Sequence, residues 1–455
     1  MKAVNALRVA VMGGGWAGLA AAVQATRIGH QVTLFEAARQ LGGRARAVPT
    51  PLPDGSSITL DNGQHILIGA YTATLDLMRT VGVAPEQHLL RLPLTLQFPD
   101  GQGLCLPDWP VPLDVAAGVW RAQGWSLADK WSLLRSAARW QLAGFTCTPE
   151  LSVAELCAGV SARVMHTLIE PLCVSALNTP ADRASAQVFL RVLRDSLMGG
   201  KGSSNLLIPT SDLSTLLPHA AQAWLEQHRA QVRLGQRATL EQGTHAPAPN
   251  ASKSTGPSEP PPWLVNGEPF DAVVCATSSS AAFQLLTGLQ DGSDSVRQWI
   301  EQADALAFEA IATVYVQAGS TRLPHPMLAL HSTPDFPAQF VFDRGQLGGP
   351  AGLLALVVSA SGTERDALQE QVLRQARTQL APWLGNAEVH ALQTIVEKRA
   401  TFACTPGLQR PPQAIAPGLL AAGDYIEGPY PATLEGAVRS GLAAAQTIGT
   451  AMQTP

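Results

Sequence analysis

Residues 60–71, LDNGQHILIGAY, set Asp61, Asn62, Gln64 and His65 around Gly63 and then turn abruptly apolar. A carboxylate, two amides and an imidazole within five positions are the groups that hold or move protons, and Gly63 lets the chain turn close to a ligand. A polar turn ahead of a strand is the plainer reading of the same residues. A second stretch, GGGWAG at residues 13–18, fits the pattern GxGxxG. There Gly13 permits a tight turn, Gly15 lets the backbone approach a diphosphate, and Gly18 lets a helix pack on a sheet. A helix opening at Trp16 and Ala17 would offer free N–H groups and a positive dipole end to phosphate. Glu36 follows Gly15 by 21 residues, where a carboxylate accepts from ribose hydroxyls and disfavours a 2′-phosphate. The chemistry implied is the binding of a dinucleotide.

The flanking sequence supplies the elements such a site needs. LRVAVM (7–12) reads as a buried parallel strand, LAAAVQATRIG as a small-residue helix stopping at Gly29, and QVTLFE as a second strand. Together they make a βαβ unit of about 30 residues. Further along, FDAVVCAT (270–277) reads as a buried strand. Residues 307–360 read as mainly antiparallel strands, 364–386 as a helix, and the end of the chain as a strand, a turn and a last helix. Residues 150–200 read as helical with a break at Pro171. The stretch GTHAPAPNASKSTGPSEPPP (243–262) has almost nothing to bury and reads as a disordered loop insertion.

Composition narrows the function classes. A chain of 455 residues accommodates two domains, and a net charge of −4 argues against a nucleic-acid partner. None of the six cysteines stands in a CxxC pair, so they read as buried, reduced thiols of a cytoplasmic chain, and no metal site is expected. No run of about eighteen apolar residues is present to span a bilayer, which leaves peripheral contact with the membrane surface open. Residues 104–145 hold five of the ten tryptophans. Helical spacing puts Leu127, Trp131, Leu134, Ala138 and Leu142 on one face and Leu133, Ala137 and Trp140 on another. Such a helix is either the core of a helical subdomain, or a lipid-binding wall or membrane-surface patch.

Beyond Glu36, five residues lead to Gly42-Gly43-Arg44, and LLAAGDYIEGPYPATLEGAVRSG lies near the end of the chain. These segments resemble the FAD-dependent amine oxidase and phytoene desaturase superfamily. The resemblance implies an α/β fold: a Rossmann-type FAD-binding domain with a second, α+β substrate domain. We expect the FAD domain to be discontinuous, over residues 1–100, 200–285 and 395–455, with the substrate domain over 101–199 and 286–394. It implies that Gly42, Gly43 and Arg44 cross the diphosphate, that Ala238 lies at the adenine, and that Gly423 and Asp424 reach the ribityl or diphosphate part. It further implies that Thr433 and Leu434 open a helix toward the flavin ring, beside Gly63 and Gln64. Thr433 and Ile311 stand where amine oxidases carry an aromatic residue and a lysine, and both departures count against amine oxidation.

DNGQHILIGAYTATLDLMRTVG, IEPLCVSALNTPADRASAQVFLRVLRD, SSNLLIPTSDLSTLLP and YPATLEGAVRSG resemble more narrowly the hydroxysqualene dehydroxylases of bacterial hopanoid synthesis. That resemblance implies a C30 isoprenoid substrate that loses an allylic hydroxyl and gains a hydride from reduced flavin. It implies transient contact with the inner face of the membrane and with neighbouring squalene-pathway enzymes. A poor leaving group calls for a general acid, and His65 is the first choice, with Asp61 orienting the loop or His65 and Asn178 holding the hydroxyl. No second nucleotide fingerprint is present, so electrons would come from NAD(P)H in a brief visit or from a separate reductase. Two other readings share the frame: a polyprenoid desaturase of carotenoid type, and a non-catalytic lipid chaperone of the GDP-dissociation-inhibitor type.

Overall fold

The computed structural model describes residues 6–52, 55–243, 263–289, 293–362 and 364–451. The β-branched run Arg8–Met12 forms strand β1, the small-residue run Trp16–Arg27 forms helix α1, and Gln31–Glu36 forms β2. These strands sit at the centre of a six-stranded sheet ordered Gln231–Leu234, β2, β1, Ala272–Cys275, Leu419–Ala421 and Ala414–Ala416. The first five are parallel and the last is an antiparallel edge. Val9–Met12 and Val273–Cys275 are wholly buried, as parallel strands covered on both faces must be. Alanines at 20, 21, 22 and 25 keep α1 thin, so it packs closely on the sheet and along the C-terminal helix Leu434–Ala451. The carboxyl ends of the parallel strands and the amino end of α1 thus open one crevice.

A second sheet is antiparallel throughout, ordered Met327–Ala329, Phe340–Asp343, Leu353–Ser361, Phe308–Gln317 and His390–Phe402. Its residues alternate between two faces, as strand geometry requires. Ala312, Val314 and Val316 pack with Val372 and Ala376 of the helix Arg365–Gln379. Thr313 and Tyr315 face the other way and reach the 61–64 loop. The Thr313 hydroxyl accepts from Gln64 N at 3.4 Å, and the Tyr315 hydroxyl donates to Asp61 O at 3.0 Å. The strand His390–Phe402 pairs along its length with Phe308–Gln317, so the expected domain limit at 394/395 cuts a hydrogen-bonded strand. The limit at 285/286 likewise falls inside the helix Ser279–Thr287. We place these limits after Phe402 and after Thr287. The insertion expected over 243–262 lies, from residue 244 on, outside the described residues.

Outside the two large sheets the structure bears on three expectations. The break read at Pro171 is a change of helix type, not an end: a π-turn at Met165–Ile169 runs straight into Glu170–Leu177, and the altered hydrogen-bond pattern just before Pro171 accommodates a residue without an N–H. The tryptophan-rich stretch forms helices Leu113–Arg121 and Leu127–Leu142, the second with one side in the core and another at the surface. Leu133 and Trp140 are buried, while Leu127, Trp131, Leu134 and Leu142 are exposed. Cys105 is exposed, not buried, because it sits outward on the short hairpin strand Gly103–Cys105. Among the described residues no helix is long and apolar enough to cross a membrane.

Candidate active site

One cavity of about 800 Å³ lies between the two sheets, within the range of small-molecule sites. Gly13, Gly15, Trp16, Ala17, Glu36, Gly42, Gly43 and Arg44 line one part of it, with Ala238, Gly423 and Asp424. Gly63, Gln64, His65, Asn178, Thr433 and Leu434 line the rest. Segments far apart in the chain therefore converge on one space.

The dinucleotide part is a bare backbone cradle. Gly15 caps the amino end of α1 with ordinary extended angles, φ −74° and ψ 179°. A Cβ built there would meet only Gly43 Cα, at 3.9 Å. Nothing in the folded chain itself therefore requires glycine at 15, and what a methyl group would occupy is the approach of a ligand to the helix terminus. Gly18 is different: it lies one turn into α1, outside the cavity wall, and a Cβ there would stand 1.8 Å from Gly13 O. It serves the contact of helix and strand, not the cofactor directly. The Glu36 carboxylate takes Gly14 N–H on Oε2 and Ala38 N–H on Oε1, each at 2.7 Å, which fixes it while lone pairs remain on both oxygens.

Arg44, Arg46 and Arg237 line the cavity, and of these sequence reading did not single out Arg46. Arg44 pairs with Asp424 at 2.7 Å and donates to the carbonyls of Arg399 and Ala400, so its charge is already partnered inside the protein. Arg46 also lines the cavity. It donates to Gly43 O at 2.6 Å, and its buried Nε has no hydrogen-bond partner. An orphaned guanidinium donor beside a glycine cradle fits an anionic diphosphate. Thr433 accepts from Gly436 N at 3.0 Å and so caps the C-terminal helix, whose first-turn N–H groups open toward the cavity. The residues present fit FAD.

The remaining part of the cavity is walled by Ile66, Val174, Ala176, Leu285, Ile311 and Ile395. Among the described residues no lysine lines the cavity, and Trp16, Phe35 and Tyr71 are the aromatics in its lining. Glu397, Glu36 and Asp424 are the carboxylates in the lining. Glu36 serves the cradle and Asp424 is paired with Arg44, which leaves Glu397 facing the apolar part. Glu397 stands opposite Ile311 in the sheet register and accepts from Asn62 Nδ2 at 3.4 Å. Sequence reading missed it, since a glutamate in a strand carries no local signature.

The geometry bears on the three residues expected to be catalytic. His65 does line the cavity, but burial and the nearby Arg44 hold its pKa below the ordinary histidine value. Its Nδ1 lies 3.0 Å from Gly63 O, so in the neutral ring Nδ1–H donates there and Nε2 carries the lone pair. This geometry makes His65 an acceptor, not the proton donor expected. Asn178, at φ 47°, spends its amide inside the fold. Nδ2 donates to Thr401 Oγ1 at 2.9 Å and Glu309 O at 3.4 Å, and Oδ1 accepts from Ala360 N at 2.7 Å. It ties helix Glu170–Leu177 to the antiparallel sheet and has no donor left for a substrate hydroxyl.

Asp61 does not line the cavity. It sits behind the loop, accepting from Leu213 N at 2.8 Å with Arg344 at 3.9 Å; Arg344 in turn donates to Gln64 Oε1 at 3.3 Å. It is a positioning residue for the 62–65 loop. Burial pushes its carboxyl up to about 6, against an ordinary 3.8. A raised folded value means the folded chain binds more protons than the unfolded one in that window. Stability from this group is therefore fullest below the ordinary value and falls as pH rises through about 6, by about 3 kcal/mol. Denaturant melts of Asp61→Asn and the parent across this range should show the parent losing ground to the variant as pH rises. Parallel pH curves would contradict this.

The comparisons with known proteins agree with this geometry. A family model described as flavin containing amine oxidoreductase matches residues 16–449. A hydroxysqualene dehydroxylase of Rhodopseudomonas palustris is 29% identical over 97% of this chain and 98% of its own length. A hydroxyneurosporene desaturase of Rhodobacter capsulatus is 39% identical, but over 22% of this chain and 19% of its own. In fold, an oxidoreductase from Methanosarcina mazei superposes with a TM-score of 0.68 over 97% of this chain and all of its own, at 14% identity. The match over nearly the whole chain and the cradle built for a dinucleotide point the same way: this chain belongs to the flavin containing amine oxidoreductase family, as an FAD-dependent oxidoreductase.

Proposed function

We propose that the chain removes the hydroxyl of hydroxysqualene reductively, giving squalene and water. The observation that carries this reading is the apolar wall of Ile66, Val174, Ala176, Leu285, Ile311 and Ile395, which shares one cavity with the flavin cradle and, among the described residues, has no lysine in its lining. Amine oxidation needs a polar, amine-accepting site; a C30 hydrocarbon needs this one. The full-length similarity to a hydroxysqualene dehydroxylase supports the same substrate class.

Once bound and reduced, FAD would supply the hydride. The chain's own residues do the rest. The isoleucine, valine and leucine wall excludes water, which would otherwise recapture an allylic cation. His65 Nε2 accepts the hydrogen bond of the substrate hydroxyl and orients it. Glu397, on the strand opposite Ile311, gives the proton with which the hydroxyl leaves as water. Arg46 and Glu36 hold the cofactor, with Ala238 at its adenine and Gly423 and Leu434 on its other side. Electrons come from NAD(P)H or from a separate reductase, and the substrate is exchanged in transient contact with the membrane surface.

The partial likeness to a hydroxyneurosporene desaturase keeps one second reading, the oxidative desaturation of a polyprenoid. Anaerobic incubation with FAD, a chemical reductant and detergent-dispersed hydroxysqualene separates the two. Squalene in the extract supports the proposal; no squalene, with new double bonds in a phytoene-like substrate under oxidising conditions, overturns it.

A further inference from the structure

Eight large hydrophobic side chains stand exposed among the described residues, and seven of them fall between 109 and 142: Trp109, Leu113, Trp120, Leu127, Trp131, Leu134 and Leu142. Trp120 and Trp131 are each 69% exposed and Leu142 is 88% exposed. The eighth, Met198, lies three residues from Lys201, which reaches Asp108 at 3.6 Å and so borders the same surface. Scattered exposed apolar residues need no explanation, but a cluster of this size marks an interaction site.

The exposed charges around it are mostly cationic. Arg121 lies 5.1 Å from the ring centre of Trp109, and Lys130 lies 5.9 Å from that of Trp120. Arg135 and Arg139 are exposed on the second of the two helices. The carboxylates of the same stretch are spent within the protein: Asp114 is buried, Asp129 closes the capping box with Ser126, and Asp108 faces Lys201. An exposed cationic rim around tryptophan and leucine, on a chain whose net charge is −4, is complementary to an anionic lipid surface. Tryptophan favours the level of the lipid headgroups for its apolar body and polar N–H.

This face also connects to the cavity. Trp125, in the link between the two helices, donates through Nε1 to Thr167 of the π-turn at 3.0 Å. That turn runs into the helix Glu170–Leu177, whose Val174, Ser175 and Ala176 line the site.

We propose that the helices Leu113–Arg121 and Leu127–Leu142 seat the protein in the interfacial region of an anionic phospholipid bilayer, with Trp120, Leu127 and Trp131 as anchors. The proposal deepens the membrane contact named above and rests on that reading for its purpose, but its test does not depend on turnover. The full chain with FAD is floated with vesicles of phosphatidylcholine alone, or with about 30% phosphatidylglycerol. The parent is expected to float with the anionic vesicles, to float less in about 0.5 M salt, and to show tryptophan quenching by brominated acyl chains. Trp120→Ser/Leu127→Ser/Trp131→Ser, all at exposed positions, should bind at least about 30-fold more weakly, while retaining flavin and forming squalene in detergent at the parent's rate. Arg135→Glu/Arg139→Glu should lose the preference for anionic vesicles.

Equal flotation of the triple variant would overturn the proposal, and so would indifference of the parent to lipid charge. A parent that ignores vesicles and sediments as a dimer, with the triple variant a monomer, would make this face a contact between copies and overturn it too. Vesicle binding with no squalene formed in detergent would instead sink the substrate reading and leave the docking face standing.

Discussion

Gly15→Ala is expected to fold as stably as the parent and to purify without flavin. The added methyl group meets nothing nearer than Gly43 Cα at 3.9 Å, and the backbone angles at 15 suit alanine. The folded chain therefore does not oppose it. The methyl would instead stand where a diphosphate must come against the amino end of α1, an overpacking worth about 1–3 kcal/mol, or roughly ten- to hundred-fold in affinity. Gly18→Ala makes the contrast. Its Cβ would fall 1.8 Å from Gly13 O, so α1 must lift off β1, and both the melting temperature and flavin retention should drop. Absorbance of the purified proteins near 450 nm (roughly where flavins absorb) and thermal melts after flavin extraction read the two effects separately. A Gly15→Ala protein as yellow as the parent would show that the cradle does not hold the diphosphate.

Glu397→Gln should keep its flavin and lose turnover by about 100-fold or more, the usual worth of a positioned acid–base group. The change preserves shape: the amide oxygen can still accept from Asn62 Nδ2, so the 62–65 loop keeps its contact, and only the bond from Arg399 N at 3.3 Å is given up. A flavin spectrum and KM near the parent's, with kcat depressed and one limb of its pH profile gone, would mark Glu397 as acting on the reacting atoms. A rate within about threefold of the parent would return it to the role of wall residue and direct attention back to His65.

What the sequence disclosed and what it hid divide along physical lines. The strand–turn–helix around GGGWAG, Glu36 at the end of β2, and the Gly42-Gly43-Arg44 loop were legible because each depends on neighbours in the chain. Arg46, two residues past Arg44, was overlooked because only the fold shows that Arg44 is already held by Asp424. Glu397 was invisible because its meaning comes from a register with Ile311, some 86 positions earlier. For the helix Leu127–Leu142, periodicity gave two apolar strips but not which of them meets the core. Asn178 and Asp61 were read as catalytic because polar residues in apolar surroundings suggest chemistry. The partners that account for them, Thr401, Ala360, Leu213 and Arg344, are all distant in sequence.

The central claim is that reduced flavin in this cavity gives its hydride to hydroxysqualene. The most direct measurement is an anaerobic stopped-flow experiment in which the chain, loaded with FAD and reduced with one equivalent of dithionite, is mixed with detergent-dispersed hydroxysqualene. The account predicts that the oxidised-flavin band returns in a single turnover, that one squalene forms per flavin, and that squalene itself has no effect. Flavin that stays reduced in the presence of hydroxysqualene, but becomes reduced when the oxidised protein meets a phytoene-like polyene, would contradict it.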